Sequence, residues 1–266
     1  MQTQTKLPEF KGKPLIELPK NIPSANFLEG EFGKAVLEEY KERALKDYRN
    51  ANALLVLSYS DNLVKGSNPF AATLVNQIVS QEGLRTATPA DLERILTVNA
   101  LPLSETYEDS ALVLRSEGEP NSYLARNLYA QVKARDKKQK LPVMIPLAGL
   151  ELVEDQKSQY GLAFALKESA EIIYTPILNK DGSFSSENID EKTGLPTRTG
   201  DGNRILYTSG SGLSWLYLDR DLYLYSRNDY LASSDVGGRV VLVSAGGASQ
   251  KILGEKLTEL QNLRDS

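Results

Sequence analysis

GLSWLYLDRDLYLYSRNDYLASSDVGGRVVLVS, residues Gly212 to Ser244, is the stretch whose reading decides the fold. From Trp215 to Tyr225 the residue types alternate with a period of two. Leu216, Leu218, Leu222 and Leu224 fall on one parity, interrupted only by Arg220. Trp215, Tyr217, Asp219, Asp221, Tyr223 and Tyr225 fall on the other. Successive side chains of a strand point to opposite faces, so the pattern predicts extended chain with a leucine face inward. The outward face is then built of tryptophan, tyrosine and aspartate. Ser226, Arg227, Asn228, Asp229, Tyr230, Ser233, Ser234 and Asp235 continue it around one apolar anchor, Leu231.

Tyrosine and tryptophan favour strands in any case, and an ordinary half-solvated sheet also alternates. Such a face usually carries lysine and glutamate, yet neither occurs between Asn203 and Gln250. Rigid amphipathic rings set among short polar groups are the palette of binding loops and interface centres. The stretch therefore reads as a recognition surface.

Composition narrows the function classes. A chain of 266 residues suffices for a substantial core, and 41% apolar with 25% charged residues is ordinary for a globular protein. A net charge of −4 gives no electrostatic footprint for nucleic acid. No apolar run has the length of a membrane span, and the first 30 residues lack a signal peptide's apolar core, so the default expectation is a cytoplasmic protein. Without cysteine there is no disulfide, thiolate nucleophile or zinc–thiolate site. Without histidine the commonest general base and metal ligand are gone, and serine–histidine hydrolysis with them. The expectation is a protein with no cofactor and no catalytic residues.

Residues 1–27 carry prolines and no periodicity, which predicts an irregular arm leading into one domain over 28–266. Gly30 to Asn52 is helical, with Phe32, Val36, Leu37, Tyr40, Ala44, Leu45 and Tyr48 in one stripe. Ala53 to Ser60 is a short apolar run, either the end of that helix or a strand. Ser67-Asn68-Pro69 looks like a cap with proline in the first turn, opening a helix that ends near Gly83. Thr88, Pro89 and Asp91 open the next. Strand-like runs follow at 111–115, 143–152, 161–166 and 171–178, with a helix after Asn121. Asn179 to Asn203 reads as a long loop, Arg204 to Thr208 as an approach strand, Val240 to Val243 as a buried strand, and 248–264 as a final amphipathic helix. Helices early and strands late, without strict alternation, indicate α+β.

Other motifs carry little. Glu119-Pro120-Asn121 is a calcium-lectin tripeptide, but calcium needs six to eight oxygens and no carboxylate–amide pair follows nearby; Pro120 fits the first position of a helix. Gly246-Gly247-Ala248 lacks the glycine spacing and the lysine of a phosphate loop. Glu151, Glu154 and Asp155 read as an exposed strand end, although a carboxylate-based carbohydrate-active enzyme would draw on them.

The run GLRTATPADLERIL (Gly83 to Leu96) is similar to the arginine, polar turn, proline, acid and helix segment of the C-type-lectin-like fold shared with formylglycine-generating enzymes. Together with YEDSALVLRSEGEPNSYLA, PVMIPLAGLELVEDQ, YGLAFAL and GGRVVLVSA, it resembles archaeal target proteins of diversity-generating retroelements over most of Ser67 to Ala245. The resemblance implies helices packed on a small twisted antiparallel sheet. It also implies a variable region, here about 212–238, in which asparagine codons of a template become tyrosine, serine or aspartate codons. Positions 217, 219, 221, 223, 225, 226, 228, 229, 230, 233, 234 and 235 hold only asparagine, aspartate, tyrosine and serine. Trp215 and Arg227 lie outside that alphabet. The active-site cysteines of the formylglycine-generating enzymes are absent, so only the fold carries over. The expected function is non-enzymatic recognition of a macromolecular partner, a protein or cell-surface component, through Trp215, Tyr217, Tyr223, Tyr225 and Tyr230 as anchors. Asp219, Asp221, Ser226, Arg227, Asn228, Asp229, Ser233, Ser234 and Asp235 would supply the polar contacts. A structural coat subunit is the remaining alternative.

Overall fold

A computed structural model describes residues 9–10, 13–14, 25–49, 51–227 and 230–244. The expected final helix lies outside these residues, as do most of the N-terminal arm, Asn228 and Asp229. In chain order, β1 (Glu9–Phe10) and β2 (Lys13–Pro14) pair with each other and precede β3 (Ala25–Phe27). Helix α1 (Gly30–Asp47) buries Val36, Leu37, Tyr40 and Ala44, and Tyr40 donates to the Leu54 carbonyl at 2.6 Å. Leu45, expected in the same stripe, is exposed. The apolar run after it is a 3-10 turn followed by the hairpin β4 (Ser58–Ser60) and β5 (Leu63–Lys65).

Helix α2 (Pro69–Val79) begins as its sequence dictates. The Asn68 side chain accepts from the Ala71 amide at 2.8 Å, and Pro69 takes the first position, where its missing N–H costs nothing. It is buried almost all round, including Thr73 and Asn76, and so runs through the interior. Strand β6 (Leu84–Thr86) leads to α3 (Pro89–Thr97), which opens on a capping box between Thr88 and Asp91. Arg85 closes on the same carboxylate at 2.5 Å, holding Asp91 below the usual carboxylate range against the opposing effect of burial. The arginine–proline–acid segment is thus a compact folding unit.

Strand β7 (Tyr107–Leu114) is buried at every residue from Glu108 on, because both its faces are covered. Helix α4 (Ser122–Arg135) follows, starting two residues beyond Pro120 rather than at it. Next come β8 (Val143–Pro146), the hairpin β9 (Leu150–Glu154) and β10 (Leu162–Leu166), and the short β11 (Ile173–Tyr174). The stretch expected as a structureless loop is folded. It contains β12 (Gly182–Phe184) and an Ile189–Pro196 bridge, and it buries Phe184 and Leu195. Strands β13 (Arg204–Thr208), β14 (Leu213–Leu218), β15 (Leu224–Ser226), β16 (Gly238–Arg239) and β17 (Val241–Ser244) complete the described chain.

The fold is mixed α+β, with four helices among the described residues around a curled sheet, and the sheet is larger than expected. Eight strands run in the order β11-β8-β7-β14-β15-β13-β12, with β16 alongside β7. Most pairs are antiparallel, but β13–β15 and β16–β7 are parallel. A separate three-stranded sheet, β3-β17-β6, brings the first long segment against the last. One face of the large sheet (Leu112, Leu114, Ile145, Leu213, Trp215) packs under α1, α2 and α4. The other (Ala111, Val113, Met144, Leu206, Leu216, Leu218, Leu224) packs against α3, Phe184 and β17. Among the described residues no helix is long and apolar enough to cross a membrane, and no group of three potential metal ligands forms.

On that second face Arg204 and Glu93 form a buried two-pronged ion pair at 2.7 and 2.6 Å, with the guanidinium over the Phe184 ring. Arg204→Met leaves the Glu93 carboxylate without its cation in a desolvated setting. Urea unfolding should show a loss of about 3–5 kcal/mol, whereas a loss below about 1 kcal/mol would mean the pair contributes only as exposed ones do.

Candidate functional site

The face predicted from Trp215 onward exists, but as a hairpin and not one strand. Extended chain ends at Leu218, and residues 219–223 form a turn in which Asp219 Oδ1 accepts from the amides of Asp221 at 3.0 Å and Tyr223 at 2.8 Å. Leu222 sits in the left-handed region at φ 61°. Alternation survives because an odd number of residues lies between the paired positions: Tyr217 lies opposite Tyr225, and Leu218 opposite Leu224. Leu216, Leu218 and Leu224 are buried as expected, and Leu222 is half-buried.

On the opposite face the rings stand in a row. Trp215 stacks on Tyr217 with centroids 5.7 Å apart, and Tyr217 on Tyr225 at 5.2 Å and 9°. Tyr225 meets Tyr207 at 4.5 Å, and Tyr207 meets Tyr223 edge-on at 6.2 Å. Arg227 lies over Tyr207 at 4.4 Å, a cation–π contact that closes the row. Tyr217, Tyr223, Tyr225 and Tyr207 are all half-buried, each with part of its ring open to a partner.

Two expected contact residues are not on the surface. Trp215 is 4% exposed and belongs to the core under the helices, because at that point of β14 the covered part of the sheet has not yet ended. Ser226 is fully buried; its carbonyl and hydroxyl both accept from Arg115, at 3.0 and 2.8 Å. Asp219 is half-buried and builds the turn, so only part of its carboxylate is left for a ligand; burial raises its pKa. Asp221, Arg227, Ser233 and Asp235 are exposed as expected, and Tyr230 is exposed beside the buried anchor Leu231.

Residues 230–238 fold back over the row and are docked from below. Ser234 Oγ accepts from the Ser67 amide at 3.0 Å, and the Asp235 amide donates to the Tyr107 hydroxyl at 2.9 Å, which itself donates to the Ser67 carbonyl. Gly238 lies so close to Tyr107 that a Cβ there would come within 2.7 Å of its ring, so only glycine fits. Between this return and the row lies a cleft of about 270 Å³, lined by Tyr107, Trp215, Tyr217, Asp219, Arg220 and Tyr225 with Asp235 at the rim. Tyr107, Tyr207 and Arg220 were not singled out from sequence. Tyr207 had a readable signal, being on the same alternating parity within RILYT; Tyr107 had none, because YED reads as a polar turn before the apolar run.

Glu108 and Asp109 are also buried. A bulge in β7–β14 sets Asp109 opposite Tyr217 and Glu108 opposite Leu218, so the two carboxyls point to opposite faces and cannot act on one substrate. Burial pushes Glu108 up to about 8, with the Thr106 hydroxyl partly offsetting it, and pushes Asp109 up to about 7. Elsewhere Glu151 and Glu154 are exposed on β9, Asp155 takes the Tyr123 hydroxyl, and Asn121 is tied to the Leu213 carbonyl, to Gln159 and to Tyr160.

Both buried carboxyls hold their protons more tightly folded than unfolded. Their contribution is therefore full below about pH 4 and is lost as pH rises through 7 to 8. Urea unfolding at pH 5.5, 7 and 8.5 should show falling stability, on the order of 2–4 kcal/mol per carboxyl at most. Asp109→Asn should flatten part of that fall; an unchanged slope would mean that Asp109 is solvated. Set beside family models, curated proteins and solved structures, the chain matches none of them.

Proposed function

We propose that this chain is a non-enzymatic recognition protein with a C-type-lectin-like fold, and that its 217–235 face binds a protein or cell-surface component. The observation that carries this reading is the row of half-buried rings, Tyr217, Tyr225, Tyr207 and Tyr223, on a sheet whose other side is solid leucine core. Rings already packed against each other lose little side-chain freedom on binding, and each still offers an apolar face with a polar tip. The exposed Tyr230 and Val236, at 63% and 78%, extend the contact area beyond the row.

The pairing of β3 with β17, which ties the early and late segments together, supports the lectin-like reading, as does the Arg85–Thr88–Asp91 unit at the start of α3. The diversification reading gains support from Trp215: the ring outside the asparagine-derived alphabet is also the buried one. Ser226 runs against it, since that position is within the alphabet and fully buried.

A displayed random-peptide library panned on the intact chain provides the test. A selected ligand should lose at least about tenfold in affinity with Tyr223→Ala plus Tyr225→Ala, while the double change costs only about 1–2 kcal/mol of stability for the lost ring pairs. Trp215→Ala should instead cost about 3–5 kcal/mol as a core residue. Ligands that bind the double variant unchanged would remove the proposal. On the genome, a near-copy of codons 212–244 differing only at adenines, next to a reverse transcriptase gene, is the expected companion.

A further inference from the structure

The cleft beside the aromatic row has a chemistry of its own. Its walls carry the carboxylates of Asp219 and Asp235, and among the described residues Arg220 is the one cation lining it. Asp109 shares the cleft-side face of the sheet with Tyr217, its partner across the β7–β14 pair. Asp109 does not itself line the cleft; it lies behind the wall that Tyr217 forms, one strand further in. Only 7% of the residue is exposed, and neither carboxyl oxygen meets a hydrogen-bond donor. The Ser67 hydroxyl and Trp215 Nε1 face it and favour its ionised form, but neither reaches hydrogen-bond geometry. Buried polar groups are nearly always paired, so three unpaired ones gathered at one wall demand a reason.

We propose that this cleft receives a single lysine or arginine side chain of the protein partner, its cationic head between Asp219 and Asp235 with the buried Asp109 behind them. The inference rests on the recognition reading above and specifies what that face selects. Charge complementarity carries it: an acceptor-rich, net-acidic recess beside Tyr217 and Tyr225 suits a cationic head on an aliphatic stem. Folding has already taken Asp109 out of water and left it holding its proton up to about pH 7, so an arriving cationic head pairs with it by releasing that proton to solvent. The volume fits one long side chain and not a folded loop.

Trp215 is the only tryptophan, so its fluorescence reports on this cleft. The full chain should be titrated with N-acetyl-arginine methylamide, its lysine counterpart and the neutral isostere N-acetyl-citrulline methylamide. Saturable responses to the two cations are expected, with citrulline at least about tenfold weaker. Asp109→Asn should weaken cation binding about tenfold. Asp235→Asn, at an exposed rim position where the new amide oxygen can still accept from the Gly237 amide, should weaken it about threefold. The proposal is overturned if neither cation gives saturation, if citrulline binds equally well, or if Asp235→Asn leaves binding unchanged. Each of those results leaves standing any library-selected ligand that depends on Tyr223 and Tyr225. Loss of that dependence with the cation response intact would instead remove the recognition reading alone.

Discussion

The buried guanidinium of Arg115 ties the aromatic face to the body of the protein. Arg115, one residue past β7, donates to the Leu178 carbonyl twice, to Ser214 Oγ, and to both the carbonyl and hydroxyl of Ser226. Those partners lie on β14, on β15 and just beyond β11, so one planar fork ties the turn after β11 to the paired strands β14 and β15. Burial lowers its pKa to about 10, which still leaves it charged at neutral pH. Arginine is suited to this because its donors are rigidly arranged and its charge persists where a lysine would lose its own. Ser226, whose sequence neighbours face outward, is turned inward to serve this node.

The aromatic row follows from that anchoring. With β14 fixed against β7, one face of the sheet stays covered along its whole length, while the other is covered only as far as Trp215. Beyond the bulge at Leu216/Tyr217 the same parity that buried an indole leaves tyrosines half-buried. Trp215 is the last ring of the core and Tyr217 the first ring of the surface. The stack between them carries the rigidity of one into the other.

Much of this was legible in the chain. The caps at Asn68 and Thr88, the α1 stripe and the leucine parity are local signals, and each element formed where its residues called for it. What escaped has a common cause: pairing between distant segments. Nothing in 179–203 announces that β12 will pair with β13, and nothing near Trp215 announces that it is buried while Tyr217 is only half-buried. YED before an apolar run looks like a turn, yet it extends β7 because β16 and β14 flank it. Glu108 and Asp109 are therefore the residues whose environment departs furthest from what their neighbours in sequence suggest.

The turn at 219–223 sets a rule for how this face can change. Tyr217 and Tyr225 share a side of the sheet only because an odd number of residues separates them, and Asp219 fastens that spacing through two backbone amides. Away from Asp219 and Gly238, exchanging one side chain for another leaves that spacing alone. Adding or deleting a single residue would rotate everything after it by half a repeat, driving tyrosines into the leucine layer and leucines into solvent. The surface is open to rewriting letter by letter but closed to any alteration in its length.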